Sequence, residues 1–564
     1  MIDTSRRRFD WRNPWLVSVV VLLAALALRV GHLSEASQSP LMRDAIPMYD
    51  AQYYDQMARE IAAGDWLGDE IFYLAPLYQY VRGVAYAAMP VDDINRVRFI
   101  QCVLGAVTCV LICWIAYLLA GPLAGLVAGL IAAFYGVFMY YDGVLMPSAL
   151  VLGLHMAATL VLLIAARRRS LWLWIASGLL IGLCVVAHGT ALLFLLGVLV
   201  WIWFGLPDAP VRTRLKRAGA VLVACLLVAS VVTVRNYAVG QDFVLLTSNA
   251  GKNLYIGNNE LASGSFEDVA TYEHNDIWGS NLSYYLGNRP RTGRDMRPSE
   301  MSAFFVGKAR DFAMSQPGKA ARLLLRKARL CLNAAELGTN DNFYFARRYS
   351  RALRVGFVSF ALVAPIGLLG LLWRRGEWRR HLLLILLFGS QFVAFTVTFV
   401  LSRYRLTMVA VLIIAAALQL IWWGRELRAR RYRSVLFSLL PLALLALLVN
   451  VPVAGVARER GFGQQYVQVG KAHLKAGEYE LAREAFEKGT TASFEPWYDA
   501  NLRRAECLIL LGRVYERSLQ MDEARKQYVR AAAEINSGPV RSPRMMAWLE
   551  ERLGAGGGAG SVLR

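Results

Sequence analysis

An all-α, polytopic membrane helix bundle is the fold class this sequence predicts, on three observations. Of 564 residues, 56% are hydrophobic and 18% charged, with a mean hydropathy of +0.39. A soluble domain of this size cannot hide so much apolar surface. Next, about eleven runs approach the roughly 20 apolar residues that a spanning helix needs. Last, the formal net charge of +21 gathers in short loops between those runs, as cytoplasmic anchors do. A nucleic-acid partner is excluded on the same ground, because no basic stripe is interleaved with exposed aromatics.

The runs fall near 15–32, 98–119, 123–140, 147–166, 171–187, 190–206, 218–235, 353–373, 381–400, 406–424 and 435–455. Gly121-Pro122 separates the second from the third, and His188-Gly189 the fifth from the sixth. Arg6, Arg7 and Arg8 precede the first run like the start of a signal peptide. No small-residue cleavage site follows, so the run reads as an uncleaved first span.

Charge then orients the chain. Arg6–Arg8, Arg167–Arg169, "RTRLKR" (212–217), "RRGEWRR" (374–380) and "RELRARRYR" (425–433) fall on one side if eleven spans start from a cytoplasmic N-terminus. That parity puts 33–97, 140–147, 188–189, 236–352, 401–405 and everything after 456 on the outer face. The compact loops suit a bacterial inner membrane, with the C-terminal segment periplasmic. Loops 33–97 and 236–352 are too long for mere connectors, and long loops on a rigid scaffold tend to carry function.

The membrane domain therefore spans 1–455. Residues 456–552 change character to a charged, Ala-rich helical pattern, in which Gly470, Ala482 and Phe486 recur as Gly512, Ala524 and Tyr528. This spacing predicts helix-pair repeats of tetratricopeptide type, stretched by an insertion near "SFEPWYDA". Residues 553–564, with "GAGGGAG", form a flexible tail. Cys102, Cys109, Cys113, Cys184 and Cys225 lie in apolar runs and Cys331 and Cys507 in polar ones, with neither zinc nor disulfide spacing.

The first outer loop contains "YDAQYYDQMAREIAAGDW" (49–66). On a helix starting near Ala51, Tyr54, Met57, Ala58 and Ile61 share one face, while Gln52, Asp55, Gln56, Arg59 and Glu60 point away. This predicts an amphipathic helix lying in the membrane interface. Asp50 stands at its N-cap position, where it either caps the helix or does chemistry. Asp44 and Asp142, the latter in "YYDGVLMPSALV" (140–151), share that side of the membrane. Acids so close to hydrocarbon need a partner or a task, although Asp142-Gly143 also reads as a plain turn.

The acid–Tyr–helix–"GDW" order, followed by "FYLAPLYQY" (72–80), resembles the GT-C membrane glycosyltransferases. The nearest branch is family 39, with its protein O-mannosyltransferases and aminoarabinose transferases acting on lipid A. The resemblance continues in order through "YYDGVLMPSALV", "VRNYAVGQDFVLLTSNAGKNLYIGNN" (234–259) and "SRYRLTMVAVLIIAAA" (402–417). It implies a GT-C-type bundle, a polyprenyl-phosphate sugar donor and a first-loop aspartate as base, here Asp50.

A phosphate leaving group wants cations where it departs. Arg403 and Arg405 in "SRYRL" match the family's basic motif, and the guanidinium fork suits phosphate. Snorkelling at a span end is the plain alternative, and it serves Arg235 equally well. His188 occupies the position where the family often has Arg-Pro, and Ala75 replaces the Lys that the aminoarabinose branch has before its Pro. Tyr54, Tyr255, Asn258 and Asn259 are candidate sugar contacts, through ring stacking and amide hydrogen bonds. Asn258 and Asn259 also read as a simple turn after Gly257. The resemblance demands no cofactor; Asp50 and Asp142 as a carboxylate pair leave a divalent cation open.

The expected activity is transfer of a sugar from a polyprenyl-phosphate carrier to a protein, lipid or glycan acceptor on the outer face. The repeats would hold an acceptor or a protein partner. Two rivals stand beside it: a flippase for lipid-linked sugars, marked by paired broken spans, and a degenerate membrane scaffold acting through its repeats.

Overall fold

The computed structural model describes residues 13–40, 49–88, 94–168, 170–266, 296–339, 342–372, 378–456, 461–494, 500–538 and 542–554. Its elements are α1 (Pro14–Gln38), α2 (Tyr49–Ala62), α3 (Leu77–Ala88), α4 (Ile94–Ala120), α5 (Pro122–Ala133), α6 (Gly136–Gly143), α7 (Ser148–Arg167) and α8 (Leu171–Ala187). Then come α9 (Ala191–Phe204), α10 (Val211–Gly240), α11 (Ala250–Gly257), α12 (Pro298–Ser315), α13 (Pro317–Cys331), α14 (Phe343–Ala346), α15 (Arg351–Val355) and α16 (Phe360–Leu372). The chain ends with α17 (Trp378–Val397), α18 (Ser402–Arg428), α19 (Tyr432–Asn450), α20 (Phe462–Lys475), α21 (Tyr479–Thr491), α22 (Ala500–Arg517), α23 (Met521–Ser537) and α24 (Pro543–Gly554). Among the described residues the only β pairing is two isolated bridges.

Seven of these helices are long and apolar enough to cross a membrane: α1, α4, α7, α10, α17, α18 and α19. The shorter apolar helices α5, α8, α9 and α16 stand where the other four runs are expected. The molecule is an all-α polytopic membrane bundle. At its centre stands α18, apolar on all sides through "MVAVLIIAAALQL", which is the mark of an enclosed helix. Its most apolar window is 78% buried, against 11% for α19, whose Leu436, Phe437, Leu440 and Leu444 point outward. Around α18, α4 packs on α1, α5 and α7, α8 on α10, α9 on α17, and α16 on α18.

Two expected runs are not single helices. The third breaks between α5 and α6, and the eighth between α15 and α16. The breaks meet, Tyr135 bridging Val358. Side chains have no room at the crossing: a Cβ on Gly356 would stand 2.9 Å from the Gly136 Cα. Apolar periodicity cannot reveal such a crossing, because both halves of each run remain apolar.

The first loop also differs from expectation. α2 begins at Tyr49, so Asp50 lies in its first helical turn rather than at the N-cap. Tyr54, Ala58 and Ile61 are buried as the pattern requires. Asp55, expected to face away, is buried too, because α3 folds back over that side. Arg82 of α3 pairs with Asp55 and the Tyr86 hydroxyl donates to it. Arg59 bonds the same carboxylate at 2.7 Å.

Helices α20 to α24 stack as consecutive pairs. A Cβ on Gly470 would lie 2.5 Å from the Phe486 ring, and one on Gly512 2.3 Å from the Tyr528 ring. The two glycines thus admit the aromatic of the next helix in the same way. This stack is attached to the bundle through α14, where Phe345 is fully buried, edge-on to Phe462 and Tyr466. Burying one such ring contributes about 1.5–3 kcal/mol. Arg348 donates to the Tyr466 hydroxyl at 2.8 Å.

Candidate active site

The geometry begins where α2 meets the start of α18. Arg403 donates to Asp50 at 3.0 Å, an ion pair between residues 353 apart in sequence. It is partly open, with Asp50 22% and Arg403 10% exposed. The Arg403 guanidinium also lies over the Tyr404 ring, 5.3 Å from its centroid. His188 meets Tyr404 edge-on with centroids 5.2 Å apart, and its Nδ1 lies 2.6 Å from the Thr190 hydroxyl. Phe395 stacks on Tyr404 and also meets His188 edge-on, with centroids 6.4 Å apart. Tyr54 is packed edge-on against Tyr78 beneath the pair. Burial, then the nearby Asp50 charge, holds its hydroxyl proton well above the ordinary tyrosine range. Asp50, Tyr54, His188 and Arg403 are therefore brought together.

Arg405 is turned the other way. It is 1% exposed, pairs with Glu336 at 2.8 Å, and donates to the carbonyls of Asn333 (2.6 Å) and Ala335 (2.8 Å). This corrects the expectation of an arginine pair on one phosphate. α18 already begins at Ser402, and residues two apart on a helix point to different faces.

Asp142 is also sealed away. It lies in the last turn of α6 and accepts from Arg29 Nε at 2.7 Å, with both side chains almost wholly buried. A Cβ on Gly105 would stand 2.1 Å from its carboxylate, so only glycine permits this approach. Among the described residues no three His, Cys, Asp or Glu side chains cluster as metal ligands would. Asp50 and Asp142 each face their own arginine. Asp44 lies outside the described residues.

The remaining expected sugar and phosphate contacts hold loops. Asn258 donates to the carbonyls of Leu254 and Val397, both at 2.8 Å, and accepts from Lys327. Asn259 donates to the Tyr255 and Ile256 carbonyls and accepts from the Leu261 amide. Tyr255 packs on Phe305. Arg235 donates to the Glu70 and Leu67 carbonyls and lies 3.9 Å over the Phe72 ring, tying the first loop to α10.

Two residues that the sequence did not single out govern this arrangement. Lys327 of α13 is fully buried. Its ammonium donates to the carbonyls of Gly257, Val397 and Thr398 and to the Asn258 amide oxygen, at 3.0–3.1 Å. Burial lowers its pKa to about 8. Lys327 thus holds the strand-like stretch 398–401 that delivers Arg403 to Asp50. Gly257 lets that stretch pass, since a Cβ there would stand 1.9 Å from the Thr398 carbonyl oxygen. Glu336 is the other, as the counter-charge of Arg405. Neither had a sequence signal: Lys327 reads as one more cation on an amphipathic helix, and Glu336 as a lone loop acid.

The fold and pair define a class, a helical membrane protein with a carboxylate–guanidinium site at the end bearing its long loops. Residues 75–235 match the family model for dolichyl-phosphate-mannose-protein mannosyltransferase. This match supports a GT-C-type membrane glycosyltransferase. No curated protein matches the chain. Among solved structures, the chain is similar to the archaeal oligosaccharyltransferase AglB from Archaeoglobus fulgidus in complex with an inhibitory peptide and a dolichol-phosphate. The identity is 16% and the TM-score 0.46, over 86% of this chain and 60% of that one. A second Archaeoglobus fulgidus oligosaccharyltransferase structure, complexed with Zn and sulfate, is 14% identical with a TM-score of 0.45, over 82% and 56%. The chain thus spans about three fifths of the length of these structures.

Proposed function

We propose that this protein transfers a sugar from a polyprenyl-phosphate donor to a hydroxyl-bearing acceptor on the outer face of the membrane. The observation that carries this reading is the partly open Asp50–Arg403 pair. The acceptor oxygen attacks the anomeric carbon and the bond from that carbon to the phosphate oxygen breaks. The phosphate leaves with the electron pair, and the acceptor proton passes to Asp50. A positioned carboxylate suits the proton, and a fixed guanidinium suits the charge that develops on the leaving oxygen.

In this reading the pair is the resting state. A donor phosphate takes over Arg403, its planar fork matching the phosphate oxygens, and Asp50 is released to accept the proton. His188 and Thr190 border the same place through Tyr404. Arg405 and Glu336 support the start of α18 from behind, and Arg29 with Asp142 anchor α6. The test is purified protein supplied with a polyprenyl-phosphate sugar and candidate acceptors. Asp50→Asn loses transfer and keeps donor binding, whereas Arg403→Ala loses donor binding. Full transfer by both variants would overturn the reading.

One observation favours a flippase for the same donor: the two broken spans that meet at Tyr135 and Val358. Their backbones close on each other at Gly136 and Gly356, which leaves no passage between them. Donor movement across protein-free and protein-bearing vesicles, with and without Asp50→Asn, separates the two. Flipping that ignores Asp50 supports transport.

A further inference from the structure

Helix α13, "PGKAARLLLRKARLC", carries five cations and no acid. Two of the five turn inward. Lys327 holds the ends of α11 and α17, and Arg326 donates to the carbonyls of Ser263 at 2.6 Å and Ala454 at 2.7 Å. Lys319, Arg322 and Arg329 are exposed. Among the described residues, none of these three has a carboxylate partner. The acids near the start of α13 are engaged elsewhere: Glu260 accepts from Gln316, and Asp311 pairs with Arg310 at 3.2 Å. Lys319, Arg322, Leu325 and Arg329 recur at steps of three and four, which makes them one stripe of the helix. Leu325 in that stripe is 70% exposed, and Leu324 beside it 45%.

The inner side of α13 rests on the ends of two spans. Lys327 bonds the Val397 and Thr398 carbonyls where α17 stops. Arg326 and Arg329 reach the Ala454 and Pro452 carbonyls just past α19. Asn333, two residues beyond α13, donates to the Val449 and Val451 carbonyls at 3.2 and 2.9 Å. Of the seven long spans α19 is the least covered by protein, so α13 lies at the height where its lipid-facing side ends. Cations beside spans ordinarily serve as cytoplasmic anchors. The stripe on α13 stands at the opposite end of α17 from Arg379 and Arg380, so that rule does not account for it.

We propose that the exposed stripe of α13 lies on the membrane surface beside α19 and binds anionic phospholipids. Lys319, Arg322 and Arg329 pair with headgroup phosphates, and Leu324 and Leu325 enter the upper acyl region. Charge complementarity favours an anionic surface. The leucines among the cations favour lipid over a soluble acidic partner, since a basic amphipathic helix buries its apolar side chains at the boundary between headgroups and chains. The contacts with 449–454 make this surface continuous with the lipid-facing side of α19. The proposal does not rest on the sugar-transfer reading.

The test places a nitrobenzoxadiazole label on Leu325→Cys in the full chain. All seven native cysteines are buried, so the label goes to the added thiol. The protein is held in nanodiscs of phosphatidylcholine, with or without phosphatidylglycerol, that carry a nitroxide high on the acyl chain. With phosphatidylglycerol the emission shifts to the blue and most of it is lost to the nitroxide; in phosphatidylcholine alone the loss is smaller. A label on Met521→Cys, which is exposed in the repeat stack, keeps its emission in both. Adding Lys319→Glu and Arg322→Glu to Leu325→Cys removes the effect of phosphatidylglycerol with an unchanged melting temperature, since both side chains are exposed. An unquenched Leu325 label, equal quenching in the two lipids, or equal quenching in the charge-reversed protein overturns the proposal. So does recovery of the emission on adding polyglutamate, which would make the stripe a site for an acidic polypeptide.

Discussion

Arg403 and Arg405 stand two residues apart, and the regions they enter are built differently. Around Arg403 the ion pair with Asp50 is partly open, with the Tyr404 ring beside the guanidinium and His188 against that ring. Around Arg405 everything is closed, and the guanidinium is shared among Glu336 and the carbonyls of α13 and its following loop. An open pair can exchange partners at low cost, because water covers whichever group is released. A sealed pair cannot, because removing either charge leaves the other buried without compensation. The same motif thus leaves one arginine partly open and seals the other into the architecture, and the helix period decides which is which.

Four experiments bear on that contrast. The largest effect is expected at the open pair: Asp50→Asn lowers turnover by about 10²–10⁴-fold, the range for a lost general base, while the melting temperature stays within about a degree or two of wild type. A large loss of stability there would erase the distinction. At the sealed pair the outcome reverses. Glu336→Gln costs about 3–5 kcal/mol of stability, read as lost folded protein in detergent. Replacing both partners, Arg405→Met with Glu336→Leu, recovers only part of it, because the Asn333 and Ala335 carbonyls stay unpaired.

Next comes a comparison between the repeats. Gly470→Ala and Gly512→Ala each press a methyl group onto an aromatic ring, costing about 1–3 kcal/mol apiece. Thermal unfolding of the single variants checks that the two sites are equivalent. The smallest effect concerns Lys327. Its folded form loses a proton at about 8, against an ordinary value of 10.5. Between those values the unfolded chain holds more protons, so stability rises with pH across that window. The wild-type melting temperature gains about 2–4 °C there relative to Lys327→Met. A flat difference would show that the ammonium is not desolvated.

Much of this was legible in the chain. Hydropathy located all eleven apolar segments, since burying backbone in lipid demands long apolar helices whatever the neighbours are. The helical face of α2 was readable from Tyr54, Ala58 and Ile61, and the repeat from Gly470 and Gly512. Asp55 was misread because the pattern sees one helix and not the second one, α3, that covers it. The breaks at Tyr135 and Gly356 were invisible for a similar reason: each is explained only by the other.

By itself, then, the sequence determined what local chemistry controls: which segments are apolar, which helices have one wet face, and which acids and arginines stand near the long loops. Tertiary structure alone decided which charges meet. Asp50 with Arg403, Arg405 with Glu336, Arg29 with Asp142 and Lys327 with four acceptors at and just past the ends of α11 and α17 all join distant parts of the chain. A charge carries no label for its partner; direction and burial, set by packing, choose it.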